Sequence, residues 1–110
     1  MLSTLSAIAE PRRFEIVECL KDWPLSVGEI VERLGLGQPQ VSKHLRVLSD
    51  AGLVEKLPKA QLRIYSLRAE PFEELGAWVS GFKGLWEARM DSLDSVLREL
   101  REEGNRKGSP

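Results

Sequence analysis

The residues best suited to chemistry in this chain are gathered in the run QPQVSKHLR, from Gln38 to Arg46. Its polar members are side-chain amides, a hydroxyl, an imidazole and cations: Gln38, Gln40, Ser42, Lys43, His44 and Arg46. With each helical residue turning about 100°, Pro39, Lys43 and Arg46 fall opposite Val41, Leu45 and Leu48, which repeat at i, i+4 and i+7 as a buried stripe. Gln40 and Ser42 flank that polar side, and Gln38 lies in the first turn. Side-chain amides match the paired donor and acceptor of adenine in a major groove, whereas lysine and arginine suit guanine or a phosphate. Gln38, Pro39, Gln40, Ser42 and Lys43 are therefore candidates for reading DNA bases from a helix N-terminus, with His44 and Arg46 placed for the phosphate backbone. A merely solvated amphipathic face looks the same, because polar residues oppose an apolar stripe on almost any surface helix, so the neighbouring elements must decide.

Those neighbours form a compact pattern. Ser26 with Glu29 three residues on is a capping box that starts a short helix, and Val27, Ile30, Val31 and Leu34 are its inward residues. Gly35-Leu36-Gly37 supplies a sharp turn, its glycines permitting positive φ, with Leu36 folded under the corner as an apolar plug. The second helix runs over about 38–51; Pro39 is tolerated in its first turn, and Gly52 ends it as a left-handed cap. The period then changes to alternation. Leu53 to Leu57 and Leu62 to Leu67 read as β-strands around Pro58-Lys59-Ala60-Gln61, a hairpin over about 53–67 that carries Lys59 and Arg63.

The run LGLGQPQVSKHLRVLSDAGLVE resembles the helix-turn-helix of bacterial ArsR/SmtB-type winged-helix repressors, and AIAEPRRFEIVECL is similar to the segment before it in that family. Val41-Ser42-Lys43-His44-Leu45, Leu48 and Ala51-Gly52-Leu53-Val54 stand in family order and spacing, and the likeness extends from about Leu5 to Leu100. LWEARMDSL resembles one branch of the family. The resemblance implies a mainly α fold with a small β-hairpin, a winged helix-turn-helix with a long C-terminal dimerisation helix, and binding to double-stranded DNA. It makes the hairpin a wing lying along the DNA backbone or minor groove, with Lys59 and Arg63 as its contacts. It also packs the N-terminal helix on the C-terminal one. Two departures stand out: Gly37 where the family often has serine, and Ala60 where its wing often has glycine.

Outside the reading segment, Leu2, Leu5 and Ile8 mark a short amphipathic helix. Ala9-Glu10-Pro11 breaks it and opens another with Pro11 at its first position, whose inner side is Phe14, Ile16, Val17, Cys19 and Leu20, and Asp22-Trp23-Pro24 ends it. Arg12 and Arg13 could meet phosphates or simply solvate a first turn. From Pro71 a helical pattern predicts one helix over about 71–102, with Phe72, Leu75, Val79, Phe82, Trp86, Leu93, Val96 and Leu100 at alternating three and four spacings. Trp78 and Leu85 widen its apolar face. A helix of roughly thirty residues is about 45 Å long, more than so small a domain covers, which points to a homodimer through that seam together with Leu2 and Leu5. A single domain over 1–103 with a disordered tail over 104–110 is expected.

Composition bounds the function. The formal net charge is only −1, but six cations against two anions between Gln38 and Arg68 give +4, and four against nine between Glu70 and Glu103 give −5. The local field attracts phosphate, so the basic segment can face DNA while the acidic helix faces away. Cys19 is the lone cysteine, no Cys-x-x-Cys pair or export signal appears, and no apolar run approaches the roughly 20 residues that span a bilayer; a cytoplasmic protein with no membrane partner is expected. An enzyme is not expected: His44 is the sole histidine and sits about 200° around the helix from Ser42, and Gly35-x-Gly37 lacks the rest of a dinucleotide loop. EIVERLGL has no cysteine and the C-terminal helix no histidine, so neither of the family's metal-site motifs is present, and no cofactor or metal is expected. The reading is a homodimeric transcriptional repressor on an inverted-repeat operator. Its alternative is a winged-helix module whose same face binds a protein, and an effector, small molecule or protein, stays unidentified.

Overall fold

Glu10 and Pro11 divide the first two helices. α1 (Leu2–Ala9) stops at Glu10, whose extended backbone (φ −76°, ψ 128°) serves as N-cap of α2 (Pro11–Leu20). Pro11 costs nothing there, because a first-turn N–H has no helical partner. The computed structural model describes the backbone of residues 1–59 and 62–108 and the side chains of residues 1–58 and 63–104. Within it the chain forms two compact units, Met1–Leu75 and Gly76–Pro110.

In the first unit, α1 packs on α2 through small residues. Thr4 and Ala7 are its buried positions, whereas Leu2 is 82% exposed and Leu5 37%, so the apolar spacing marks an outward surface of α1. Arg13 fastens the pair, its Nε donating to the Ala7 carbonyl at 2.7 Å in the otherwise open last turn of α1. α2 buries Ile16, Val17 and Leu20 and half-buries Cys19, but Phe14, expected inside, is 51% exposed.

β1 (Leu25–Ser26), too short for any alternation to announce it, pairs with Tyr65 and Ile64 and adds a third strand to the expected hairpin. Ser26 then caps α3 (Val27–Leu34): its Oγ accepts from the Glu29 N–H, and the Glu29 carboxylate accepts from the Ser26 N–H, both at 3.1 Å. α3 ends at Gly35 in the left-handed region (φ 66°), whose N–H donates to the Val31 carbonyl. Gly37, at φ −68°, needs no such freedom and is the N-cap of α4 (Gln38–Asp50). Gly52 (φ 77°) turns the chain out of α4, and the Leu53 N–H bonds back to the Leu48 carbonyl at 2.9 Å. β2 (Val54–Lys59) and β3 (Leu62–Leu67) pair antiparallel from Val54 with Leu67 to Lys59 with Leu62, in the sheet order β1-β3-β2. β2 therefore runs through Pro58 and Lys59, which were expected in the turn; Ala60 and Gln61 lie outside the described residues. The core joins α2, α3 and α4 through Ile16, Ile30, Val41, Leu45 and Leu48, with Leu53 just before β2, all fully buried.

The single helix predicted over 71–102 is two, α5 (Ala69–Ser80) and α6 (Lys83–Gly108). At the break the Gly81 N–H is shared between the Ala77 and Trp78 carbonyls and the Phe82 N–H reaches Val79, so the bonding tightens from four residues to three and the helix stops. Trp78 and Phe82 brace the corner edge to face, ring centroids 5.2 Å apart. The expected disordered tail over 104–110 is also corrected: α6 continues through Gly108, and Ser109 and Pro110 lie outside the described residues.

Candidate nucleic-acid interface

Burial on one side of α4 dictates what the other side presents. Val41, Leu45 and Leu48 are sealed in the core, so Gln38, Pro39, Gln40, Lys43 and Arg46 stand in solvent, with Ser42 and His44 half-buried at the margins. The N-terminus of α4 has no side-chain cap, Gly37 having none to offer, and Pro39 removes one of the first-turn donors. The candidate base-reading residues Gln38, Pro39, Gln40, Ser42 and Lys43 thus share one open helix end.

Away from this face some cations are paired and others, such as Arg33, Lys56 and Arg89, enter no ion pair among the described residues. Arg12 pairs with Glu15 at 3.2 Å, Lys21 with Glu18 at 3.4 Å, Arg68 with Glu70 at 3.8 Å and Lys83 with Glu87 at 3.9 Å. Lys43, Arg46 and Arg63 enter no ion pair among the described residues. Arg63 is exposed on β3 opposite Pro58, in the wing. Lys59 lies at the end of β2, and its side chain is outside the described residues. Arg13, considered above for phosphate, has its Nε engaged by the Ala7 carbonyl.

His44 is held differently from its neighbours. Its Nδ1 is buried without a hydrogen-bond partner among the described residues and lies 3.8 Å from Glu10 Oε2, and its side chain is 19% exposed. The same Glu10 oxygen accepts the Arg13 N–H at 2.9 Å. That bond is the main reason the Glu10 carboxyl sits below the ordinary carboxylate range; desolvation opposes it, and the His44 imidazole and Arg13 charge add to it. Sequence reading did not single out Glu10. Glutamate is not a favoured N-cap, and no local pattern links it to a helix two elements away.

The residues expected at a subunit interface divide between the units. Phe72 packs partly buried against the core of Met1–Leu75 and Leu75 is half-buried, while Leu5, Ile8, Ala9, Pro11, Phe14 and Glu15 line an open, mostly apolar hollow, and Leu2 is exposed. In Gly76–Pro110, Val79, Phe82, Trp86, Leu93, Val96 and Leu100 are exposed, as are Met90 and Leu97. Burial pushes the Cys19 thiol up. No three His, Cys, Asp or Glu side chains converge as metal ligands, and no helix is long and apolar enough to cross a membrane, among the described residues.

Comparison with known proteins agrees with this geometry. The profile described as "Bacterial regulatory protein, arsR family" matches residues 10–56. The transcriptional repressor SdpR of Bacillus subtilis is 29% identical over 82 residues, 74% of this chain and 91% of that one. The arsenic resistance transcriptional regulator ArsR1 of Pseudomonas putida is 33% identical over 91 residues, 82% of this chain and 68% of its own. Among solved structures, reduced HlyU from Vibrio cholerae is 37% identical with a TM-score of 0.62, covering 76% of this chain and 85% of that one. Three further regulators are matched over only 54% to 58% of their own length.

Proposed function

The chain belongs to the arsR family of bacterial regulatory proteins, DNA-binding transcription regulators with a winged helix-turn-helix, and from that premise we propose that it is a homodimeric repressor of an inverted-repeat operator. The observation that carries this reading is the solvent face of α4, where two amides and the cations Lys43 and Arg46 oppose a fully buried stripe. Gln38, Pro39, Gln40, Ser42 and Lys43 read base edges in the major groove; Arg46, with Arg63 and Lys59 of the wing, holds phosphates. Two-fold symmetry sets a pair of reading helices about 34 Å apart, one helical turn of DNA, and makes the operator palindromic. The dimer is favoured by the apolar surface that a single chain leaves in water, Leu2, Leu5 and Phe14 on one unit and Val79 to Leu100 on the other. Bound there, the protein excludes polymerase from a promoter.

In vitro selection from random duplexes, followed by sedimentation of the protein with the enriched sequence, tests the reading. Enrichment of an inverted repeat bound by two chains supports it. Recovery of no preferred duplex would sink it and favour a protein-binding role for the same face.

A further inference from the structure

The reading helix contains one nitrogen that the fold leaves unsatisfied. His44 Nδ1 is out of solvent, makes no hydrogen bond among the described residues, and faces Glu10 Oε2 at 3.8 Å. A buried, unpaired imidazole nitrogen is costly, whereas the protonated ring would set an N–H against a carboxylate, among the stronger polar contacts a protein makes. Glu10 is itself anchored, accepting from the Arg13 N–H while Arg13 Nε grips the Ala7 carbonyl, so the carboxylate cannot swing away without loosening the α1–α2 corner. The other ring nitrogen is not among the buried unpartnered atoms. It lies on a helix whose exposed cations, Lys43 and Arg46, enter no ion pair among the described residues.

From this geometry we infer that Glu10 is a positioning residue for DNA binding: it holds His44 as a cation oriented with Nδ1 inward, so that Nε2 donates to a DNA phosphate and operator affinity rises with acidity. The inference rests on α4 being the DNA-contacting helix. The groups that could compete for the imidazole come from every element packed on α4. α1 has no ionisable side chain. α2 offers Arg12, Arg13, Glu15 and Glu18, with Glu10 at its N-cap; α3 offers Glu32, Arg33 and Glu29, the last occupied by the Ser26 cap; β2 carries Glu55, Lys56 and Lys59; and α4 itself carries Lys43, Arg46 and Asp50. Of these, only Glu10 lies within ion-pair distance of His44 among the described residues.

His44 is the only histidine, so its imidazole proton resonances can be followed in the intact protein without ambiguity. The titration is run between about pH 8 and about pH 5, where imidazoles ordinarily change charge. Glu10→Gln keeps a carbonyl oxygen for the Arg13 N–H but removes the anion, so the His44 midpoint should fall. Saturating operator DNA should raise the wild-type midpoint, because a ligand that binds the protonated form better must also favour protonation. Across the same range, wild-type operator affinity should strengthen on the order of tenfold per subunit on acidification, with a shallower profile in Glu10→Gln and none in His44→Gln. An unchanged midpoint in Glu10→Gln, or a midpoint that moves while the affinity profiles stay parallel, would overturn the inference. If a variant melts below the assay temperature, the wild-type titration decides, and a midpoint indifferent to operator overturns it. Wild-type protein that binds selected and random duplexes alike would instead refute the reading of α4, and the free-protein titration would still judge the Glu10–His44 couple.

Discussion

Replacing Gln38 and Gln40 together by alanine should erase operator preference while leaving the fold intact. Both amides are exposed on a helix whose grip on the core comes from Val41, Leu45 and Leu48. Alanine is the best helix former, and surface substitutions away from caps and core usually change stability by less than about 0.5 kcal/mol. The functional cost is far larger. A good bidentate amide bond pair to a base gives roughly 1 to 3 kcal/mol of discrimination. In a two-fold dimer each substitution acts at both half-sites, so removing even one base-reading amide amounts to about 2 to 6 kcal/mol, roughly 30-fold to 25,000-fold in Kd. Fluorescence anisotropy with the selected operator and a scrambled duplex at matched salt separates this from a general loss of affinity, since only the operator should weaken by that factor. Arg63→Ala is the contrast: it should weaken both duplexes alike and reduce the salt slope by about 1 for each phosphate that is no longer neutralised. A double glutamine variant that folds and still prefers the operator would refute the assignment of this face.

Three further outcomes follow from local geometry. Gly52 has φ 77° with nothing within 4 Å of where a Cβ would stand, so Gly52→Ala meets backbone strain alone. Urea denaturation should show a loss of about 1 to 2 kcal/mol, with Gly52→Asn milder because asparagine visits that region. The Glu29 carboxyl is held below the ordinary carboxylate range, first by the Ser26 N–H and then by its hydroxyl, so its contribution is present above that range and lost as pH falls through the folded value. Thermal melts should therefore show Glu29→Gln less stable than wild type near neutrality, with the gap closing in acid; a gap independent of pH would count against the capping box. Leu100→Asp, on an exposed position of α6, should yield folded monomers by sedimentation that bind operator weakly, and an unchanged dimer would show that the interface lies elsewhere.

The parts of the fold that were legible in the sequence are those set by short-range chemistry. Ser26 with Glu29, Gly35, Pro11 and Gly52 each mark an end by a mechanism confined to a few residues, and all four stand where that mechanism placed them. The break at Gly81 was hidden because Val79, Phe82 and Trp86 keep the three and four spacing straight across it, and one glycine within a helix costs only about 1 kcal/mol, too little to announce a stop. Phe14, expected inside, stands exposed for a related reason. Periodicity reports which residues share a face, and it was the small Thr4 and Ala7 that let α1 approach its neighbours, leaving the large side chains outside. For the candidate site, the exposed face of α4 followed from its buried stripe, but the inward turn of His44 depends on a carboxylate from another helix and left no trace in spacing.

What the single chain leaves unresolved is also its guide to function. Natural folds satisfy nearly all buried polar atoms and seldom leave large contiguous apolar faces in water, so groups that break these rules mark where something else is to arrive. Here the exceptions fall in two places and differ in kind. The apolar ones, Leu2, Leu5 and Phe14 on one unit and Val79 through Leu100 on the other, call for another apolar surface, which in the dimer proposed above a second copy of the chain would supply. The polar set is His44, whose buried Nδ1 faces a carboxylate, with the exposed cations Lys43 and Arg46 on the same helix; on the reading proposed above, phosphates and base edges complete that surface. Because the two sets occupy different residues, a variant that removes the apolar surface should lose cooperation between half-sites while each monomer keeps its sequence preference. One that removes the polar set should leave a well-formed dimer with nothing to read.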